Sequence, residues 1–235
     1  MASASRPRPL SIDRLCEQLV DQAHRSGLEA DLILPVAAAG MLLLGAADHR
    51  KILSDMAALE DPVTTLQTLF AAQTAFLPYL DGHVDMLTSI LTRSDRSLTV
   101  RVVRGMLTRL AEADLLRLAD SPTIAGDFLG PLYSMITSKA ARTARGAFYT
   151  PPSLGAVLAG LVEVRPGETF ADPCCGSGGL AIAALRAMRA AGRSPELIHW
   201  CLQDIDPVAV ALAGVQLASH GMPWVTLTAG DALQP

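Results

Sequence analysis

Three observations predict an α/β protein with a helical N-terminal domain and a short parallel sheet after it. Helix-period apolar patterning runs through about the first 140 residues. After about residue 146 the pattern becomes an alternation of strand and helix, and each anticipated strand leads into an aspartate. Composition points the same way. Half of the 235 residues are apolar but only 4% are aromatic, so the core must be built from Ala, Leu and Val, a bias toward helices. The apolar content is far above that of a disordered chain, although only 18% of residues are charged. The expected division is a helical domain over 1–140 and a partial α/β domain over 141–235.

Within the first domain, SIDRLCEQLVDQAHRS places Ile12, Leu15, Leu19 and Ala23 on one helix face, with Ser11 as the N-cap. Further helices are expected over 32–47, 63–80, 84–91, 98–119 and 128–143, with Pro62, Gly82, Ser94 and Pro122 as punctuation. The second domain begins with a helix over 153–164 and a turn at Arg165-Pro166-Gly167. A strand over 169–171 ends at Asp172, and a glycine loop leads into a helix over 180–191. A strand over 197–202 ends near Asp204, a helix covers 207–219, and a strand over 225–228 ends at Asp231. Strands joined through helices imply a parallel sheet with right-handed crossovers, whose ligands sit at the carboxyl ends of the strands. Asp172, Asp204 or Asp206, and Asp231 occupy those ends.

Several classes are disfavoured by arithmetic. The 16 uncharged residues between Asp31 and Asp48 fall short of the roughly 20 that a membrane-spanning helix needs, and Pro35, Gly40 and Gly45 interrupt them. The uncharged stretch 207–230 carries Gln216, His220, Gly221 and Pro223 in its middle, so it reads as helix, loop and strand. The N-terminal arginines are followed by Asp13, Arg14 and Glu17 rather than by an apolar signal segment. Cys16, Cys174, Cys175 and Cys201 are too few and too uneven for a disulfide scaffold, and a reducing cytoplasm is the expected setting. With His199 they also lack metal-ligand spacing, so no metal site is expected. Net charge is −4, with 15 Lys/Arg against 16 Asp/Glu in residues 1–145 and 4 against 7 in 146–235. Neither part is a basic nucleic-acid binder in bulk. Two local clusters, Arg93, Arg96, Arg101, Arg104, Arg109 and Lys139, Arg142, Arg145, read either as solvated faces or as a phosphate-contacting stripe.

The chemistry concentrates in FADPCCGSGGLAIAA (170–184), where Gly176, Gly178 and Gly179 lie between a strand and a helix. Glycines there permit a tight turn and close approach of a ligand to the backbone. Gly176, Gly178 and Ala181 satisfy the dinucleotide pattern, with Asp204 at the distance of a ribose-binding acid, so NAD and S-adenosylmethionine (SAM) are both candidates. The insert Asp172-Pro173-Cys174-Cys175 separates them. A carboxylate at the loop entrance repels a pyrophosphate but favours the ammonium and sulfonium of SAM. The ribose diol suits a carboxylate after the second strand, and the adenine amino group suits one after the third.

GAFYTP (146–151), DPCCGSGG (172–179), QDIDP (203–207) and AGDAL (229–233) resemble the early motifs of N6-adenine DNA methyltransferases, with the closest likeness to type I restriction–modification modification subunits. GDFLGPLYSMI (126–136) resembles the segment joining the helical domain of that family to its catalytic domain. The resemblance implies a truncated Rossmann-like SAM-dependent methyltransferase sheet over the C-terminal part. It also implies site roles. Tyr149 and Thr150 would meet the methionine end of SAM, and Asp172 its amino group. Gly176 and Gly178 would line the loop, Asp204 would hold the ribose, Ile205 would pack on the adenine, and Asp231 would bond to the adenine amino group. Asp206 reads as a second ribose ligand or as the N-cap before Pro207.

The sequence departs from the family in one respect. The [DNS]-P-P-[FYW] motif that orients the target adenine does not occur in the 235 residues, so no catalytic residue is assigned. The resemblance implies double-stranded DNA as substrate, bound weakly by this chain alone, and a specificity subunit or complementary methyltransferase chain as partner. A fragment, a naturally shortened protein and half of a split enzyme all fit the sequence. Alternatives are a catalytically silent SAM-binding partner or regulator, a methyltransferase for RNA or protein, and an NAD-binding oxidoreductase fragment.

Overall fold

The computed structural model describes residues 11–113, 115–119, 126–137, 150–162 and 164–234. Helix α1 spans Ile12–Arg25; the Ser11 hydroxyl accepts from the Arg14 N–H at 3.3 Å, and Ile12, Leu15, Leu19 and Ala23 are buried. That apolar face is the one its periodicity predicts. Helix α2 (Ile33–Leu42) is buried along almost its whole length, and a helix apolar all round belongs in the middle of a core. It ends five residues before the expected limit, ahead of Gly45.

Helix α3 (His49–Ala58) has no counterpart in the sequence expectations. Its charged start hides it, because only Leu53, Met56 and Ala57 supply the buried apolar positions. Helix α4 (Pro62–Phe76) starts where Asp61 accepts from the N–H groups of Val63 and Thr64, both at 3.2 Å. It gives way to a 3₁₀ turn at Pro78–Leu80, since proline cannot donate the next helical hydrogen bond. Helix α5 (Val84–Ile90) precedes α6 (Arg96–Glu112), which begins two residues earlier than expected because the Asp95 carboxylate accepts from the Leu98 N–H at 2.9 Å. The expected continuous helix to residue 119 is interrupted at Ala113, whose backbone is extended, and resumes as α7 (Leu115–Ala119). Helix α8 (Leu129–Ile136) likewise stops at an extended Thr137.

Four of the five arginines of the first cluster are engaged within the fold, and Arg101 is exposed. Arg93 pairs with Asp31 at 2.7 Å and Arg96 with Asp61 at 2.6 Å. Arg104 donates to the carbonyls of Ala57, Leu59 and Glu60 at the end of α3, and Arg109 donates to Gln22 at 2.8 Å. These contacts favour a structural role over a phosphate stripe. The second cluster, Lys139, Arg142 and Arg145, lies outside the described residues.

The C-terminal part contains helix α9 (Pro152–Leu161) and strand β1 (Thr169–Asp172), then helix α10 (Gly179–Ala190) and strand β2 (His199–Asp204), then helix α11 (Pro207–Ser219) and strand β3 (Val225–Ala229). The strands form a parallel sheet in the order β1-β2-β3, as expected. Asp172 lies opposite Leu202 and Asp204 opposite Ala229, so the carboxyl ends form a staircase. Trp200 anchors the covered face: it is fully buried, its indole donates to the Pro195 carbonyl at 3.2 Å, and its ring lies 5.0 Å from that of Phe170.

Helix α11 joins the two parts. Ala211, Leu212 and Val215 belong to the core of the helical part, whereas Ala213 and Leu217 belong to the core beneath the sheet. A helix shared in this way is apolar all round, which accounts for the uncharged run 207–230. Among the described residues, no helix is long and apolar enough to cross a membrane.

Candidate functional site

The glycine loop connects the end of β1 to α10 and is bound to the end of β2. The Cys175 N–H donates to the Gln203 carbonyl at 2.8 Å, which extends the pairing between β1 and β2 into the loop. The Gly176 N–H donates to Asp204 Oδ2, also at 2.8 Å. Gly178 then takes a left-handed conformation at φ 94° and caps α10. A Cβ there would stand 3.2 Å from the backbone of Ala213, so both the turn and the packing on α11 call for glycine. Gly176, at φ 53°, would place a Cβ in open space; its restriction is conformational, and its surroundings leave room for a ligand.

Asp204 is the organising acid. Its Oδ2 holds the loop, and its Oδ1 accepts from the Asp206 N–H at 2.9 Å. A carboxylate offers about four lone-pair directions. These two bonds leave one acceptor direction on each oxygen, the arrangement needed to receive a vicinal diol.

Asp172 lies at the end of the neighbouring strand, and its Oδ1 accepts from the Cys174 N–H at 3.1 Å. Burial raises the Asp172 carboxyl above the usual carboxylate range; the Cys174 N–H opposes that rise, and the charge of Asp204 adds to it. The loop entrance is therefore a place where two carboxylates repel one another and a cation is favoured. Burial also pushes the Cys175 thiol up, with the charges of Asp172 and Asp204 adding to the effect, so this sulfur is held as a thiol.

The remaining acids and the apolar candidate are close by. Ile205, immediately after Asp204, is 58% exposed, an apolar side chain left uncovered at the end of β2. Asp231 follows β3, where the Gly230 N–H donates to the Asp204 carbonyl at 2.9 Å; its Oδ1 accepts from the Leu233 N–H, also at 2.9 Å. Asp206 is nine-tenths buried; its Oδ1 accepts from the Val208 N–H at 3.0 Å and its Oδ2 from the Tyr133 hydroxyl. It is the N-cap of α11, and its burial together with the Tyr133 hydroxyl on its second oxygen favours the capping reading over the ribose one.

Thr150 is set apart from this cluster. With Asp127, Gly155, Gly179 and Arg186 it lines a mainly apolar cavity of about 280 Å³ between α9 and α10, which reaches the start of α10 at Gly179. Tyr149 lies outside the described residues.

Two participants were given no site role from the sequence, although Asp127 lies in the 126–136 segment that resembles the family's connecting segment. Gln216, fully buried in the middle of α11, donates to the Ser177 carbonyl at 2.7 Å and to Asp127 Oδ1 at 2.9 Å. Asp127, also buried, accepts from the Gly130 N–H at 2.9 Å. Gln216 stands out as the one amide in a mainly apolar helix.

Comparison with known proteins bears on family and fold. Residues 124–234 match the family model described as N-6 DNA Methylase. A stretch of 76 residues is 37% identical to the Type I restriction enzyme MjaIX methylase subunit of Methanocaldococcus jannaschii, covering 32% of this chain and 13% of that protein. Another of 106 residues is 32% identical to the MjaVIII methylase subunit of the same organism, covering 44% of this chain and 18% of that protein. The matched regions span less than a fifth of the length of these two relatives. A crystal structure from Vibrio vulnificus, described as a type I restriction enzyme modification subunit, aligns over 96% of this chain and 57% of its own, with a TM-score of 0.50 and 15% identity. At that identity the likeness concerns the fold alone.

Proposed function

Since residues 124–234 match the family model described as N-6 DNA Methylase, we propose that this chain supplies the cofactor-binding part of a SAM-dependent adenine-N6 DNA methyltransferase of a type I restriction–modification-like system. The observation that supports SAM most directly is that Asp172 and Asp204 end adjacent strands, the second of them bonded to the glycine loop. A pyrophosphate brought to that entrance meets two carboxylates, whereas an ammonium or sulfonium is attracted by both.

In this reading residues 141–235 form the cofactor unit and residues 1–140 the helical unit. Asp204 accepts the ribose hydroxyls on its two remaining acceptor directions. Asp172 faces the amino group of the methionine moiety, and Gly176 and Gly178 let the backbone approach it. Ile205 offers its exposed side chain to the adenine ring and Asp231 accepts from the adenine amino group, while Tyr149 and Thr150 belong to the methionine end. When bound, SAM supplies an electrophilic methyl on a sulfonium. The substrate is double-stranded DNA, and recognition of its sequence comes from a partner, a specificity subunit or a complementary methyltransferase chain. A chain of net charge −4 is expected to bind DNA weakly and with steep salt dependence when alone. A cytoplasmic setting belongs to the same proposal.

Calorimetric titration with SAM and with NAD tests the cofactor. SAM should bind, and tighter binding of NAD would overturn the reading. Methyl transfer is tested separately, by incorporation of labelled methyl into unmethylated DNA. Residues 1–235 contain no [DNS]-P-P-[FYW] element to orient the adenine, and misplacing reacting groups by about 1 Å already costs around 100-fold. Near-background turnover is therefore expected for residues 1–235 by themselves. Robust incorporation would mean that another group in this chain orients the base.

A further inference from the structure

The cofactor site has two parts, the carboxylate Asp204 and the glycine loop, and side chains tie each of them to the segment containing α8. Tyr133, on α8, donates its hydroxyl to Asp206 Oδ2. The Asp206 N–H in turn donates to Asp204 Oδ1 at 2.9 Å. The second connection begins at Asp127, just before α8, whose Oδ1 accepts from Gln216 Nε2, and that same amide donates to the Ser177 carbonyl between Gly176 and Gly178. Gln216 Oε1 accepts from the Leu129 N–H at 3.3 Å, so this side chain makes two bonds to the 127–129 segment and one to the loop. Asp127 Oδ2 also stands 2.8 Å from where a Cβ on Gly179 would be, so the first turn of α10 runs directly against this carboxylate.

We infer that Tyr133 is a positioning residue for the ribose subsite, acting through Asp206 on Asp204, and that α8 thereby couples the helical part to cofactor affinity. The inference rests on the SAM reading proposed above. Capping α11 requires only one oxygen of Asp206, and Oδ1 performs it. The second oxygen is a nearly buried acceptor, which needs a donor of its own, and the donor comes from a helix 73 residues earlier in the chain. Fixing both oxygens fixes the orientation of Asp206 and hence of the N–H aimed at Asp204. Without the hydroxyl, Asp206 Oδ2 loses one donor and the carboxylate is held less firmly. The Asp204 carboxylate then loses one of the two backbone donors that aim its remaining lone pairs at a diol. Coupling of this kind is reciprocal, so occupation of the ribose subsite tightens the docking of α8.

The test uses the whole chain, S-adenosylhomocysteine and the 2′,3′-dideoxyribosyl analogue of that ligand. Tyr133→Phe should bind S-adenosylhomocysteine about tenfold more weakly, on the scale of one hydrogen bond to a charged group, and should change affinity for the dideoxy analogue by less than about twofold. Asp206→Ser retains a capping oxygen but removes Oδ2. By itself it should reproduce the loss, and in its background Tyr133→Phe should have no further effect. Equal losses for both ligands would show general damage to the fold and overturn the inference. So would an additive effect of Tyr133→Phe in the Asp206→Ser protein, or a Tyr133→Phe protein that binds S-adenosylhomocysteine normally. Failure of the unsubstituted chain to bind S-adenosylhomocysteine at all would instead remove the SAM reading, and this inference with it.

Discussion

Replacing Asp204 with Asn separates the two roles assigned to this carboxylate. The native side chain accepts from the Gly176 N–H on one oxygen and from the Asp206 N–H on the other. An Asn side chain has one carbonyl oxygen, so whichever way it turns, its NH₂ group opposes one of those N–H donors. The folded protein loses one charge-assisted hydrogen bond and weakens another, a cost of about 1.5–3 kcal/mol before relaxation. For the ligand, one of the two directions left for the diol becomes a donor and the charge disappears. Losing about 1–3 kcal/mol of binding corresponds to roughly 5- to 150-fold in Kd, since 1.4 kcal/mol is about tenfold. Denaturant unfolding without ligand reads the first effect, and calorimetric titration with SAM reads the second. Unchanged affinity would remove Asp204 from the cofactor site. Unchanged stability would refute its role in organising the loop even if binding fell.

Two further substitutions test the electrostatics. Asp172 is raised, so the folded chain holds this proton to higher pH than the unfolded chain; its contribution to stability is present below the ordinary carboxylate range and is lost as pH rises through the elevated value. Asp172→Asn should therefore raise the thermal midpoint at neutral pH while weakening SAM. In the unsubstituted protein, SAM affinity should rise with pH across the same window, because its ammonium prefers the ionised form. A variant less stable than the parent at neutral pH would contradict the raised carboxyl. Asp61 is the opposite case, held down to about 2, first by its hydrogen bond from Arg96. Asp61→Ala should cost about 1 kcal/mol through loss of the α4 cap, with little from the ion pair, whose partners are more than two-fifths exposed. That difference should be full above about pH 4 and should fade as pH falls toward 2. A difference that persists at pH 2 would show that the carboxylate charge is not responsible.

Local pattern alone determined the strands, the crossover helices, the cap at Ser11, the glycine loop and the acids Asp172, Asp204 and Asp231. Each of these depends on residues near one another in the chain: a two- or 3.6-residue period, a capping oxygen, a glycine where φ must be positive. Helix α3 escaped because its buried apolar residues are limited to Leu53, Met56 and Ala57 and its N-terminal turn is charged. The break at Ala113 escaped because no Gly or Pro lies between 106 and 119 to mark it. Tertiary structure decided the matters that involve distant partners. It gave Asp206 to the cap of α11 and to Tyr133, and it engaged Arg93, Arg96, Arg104 and Arg109 with Asp31, Asp61, Gln22 and the end of α3. It also made Gln216 the link between Asp127 and the glycine loop. A buried polar group must be satisfied wherever a partner is brought to it, and the chain positions of Asp127, Ser177 and Gln216 say nothing of their meeting until α11 is packed between the two cores.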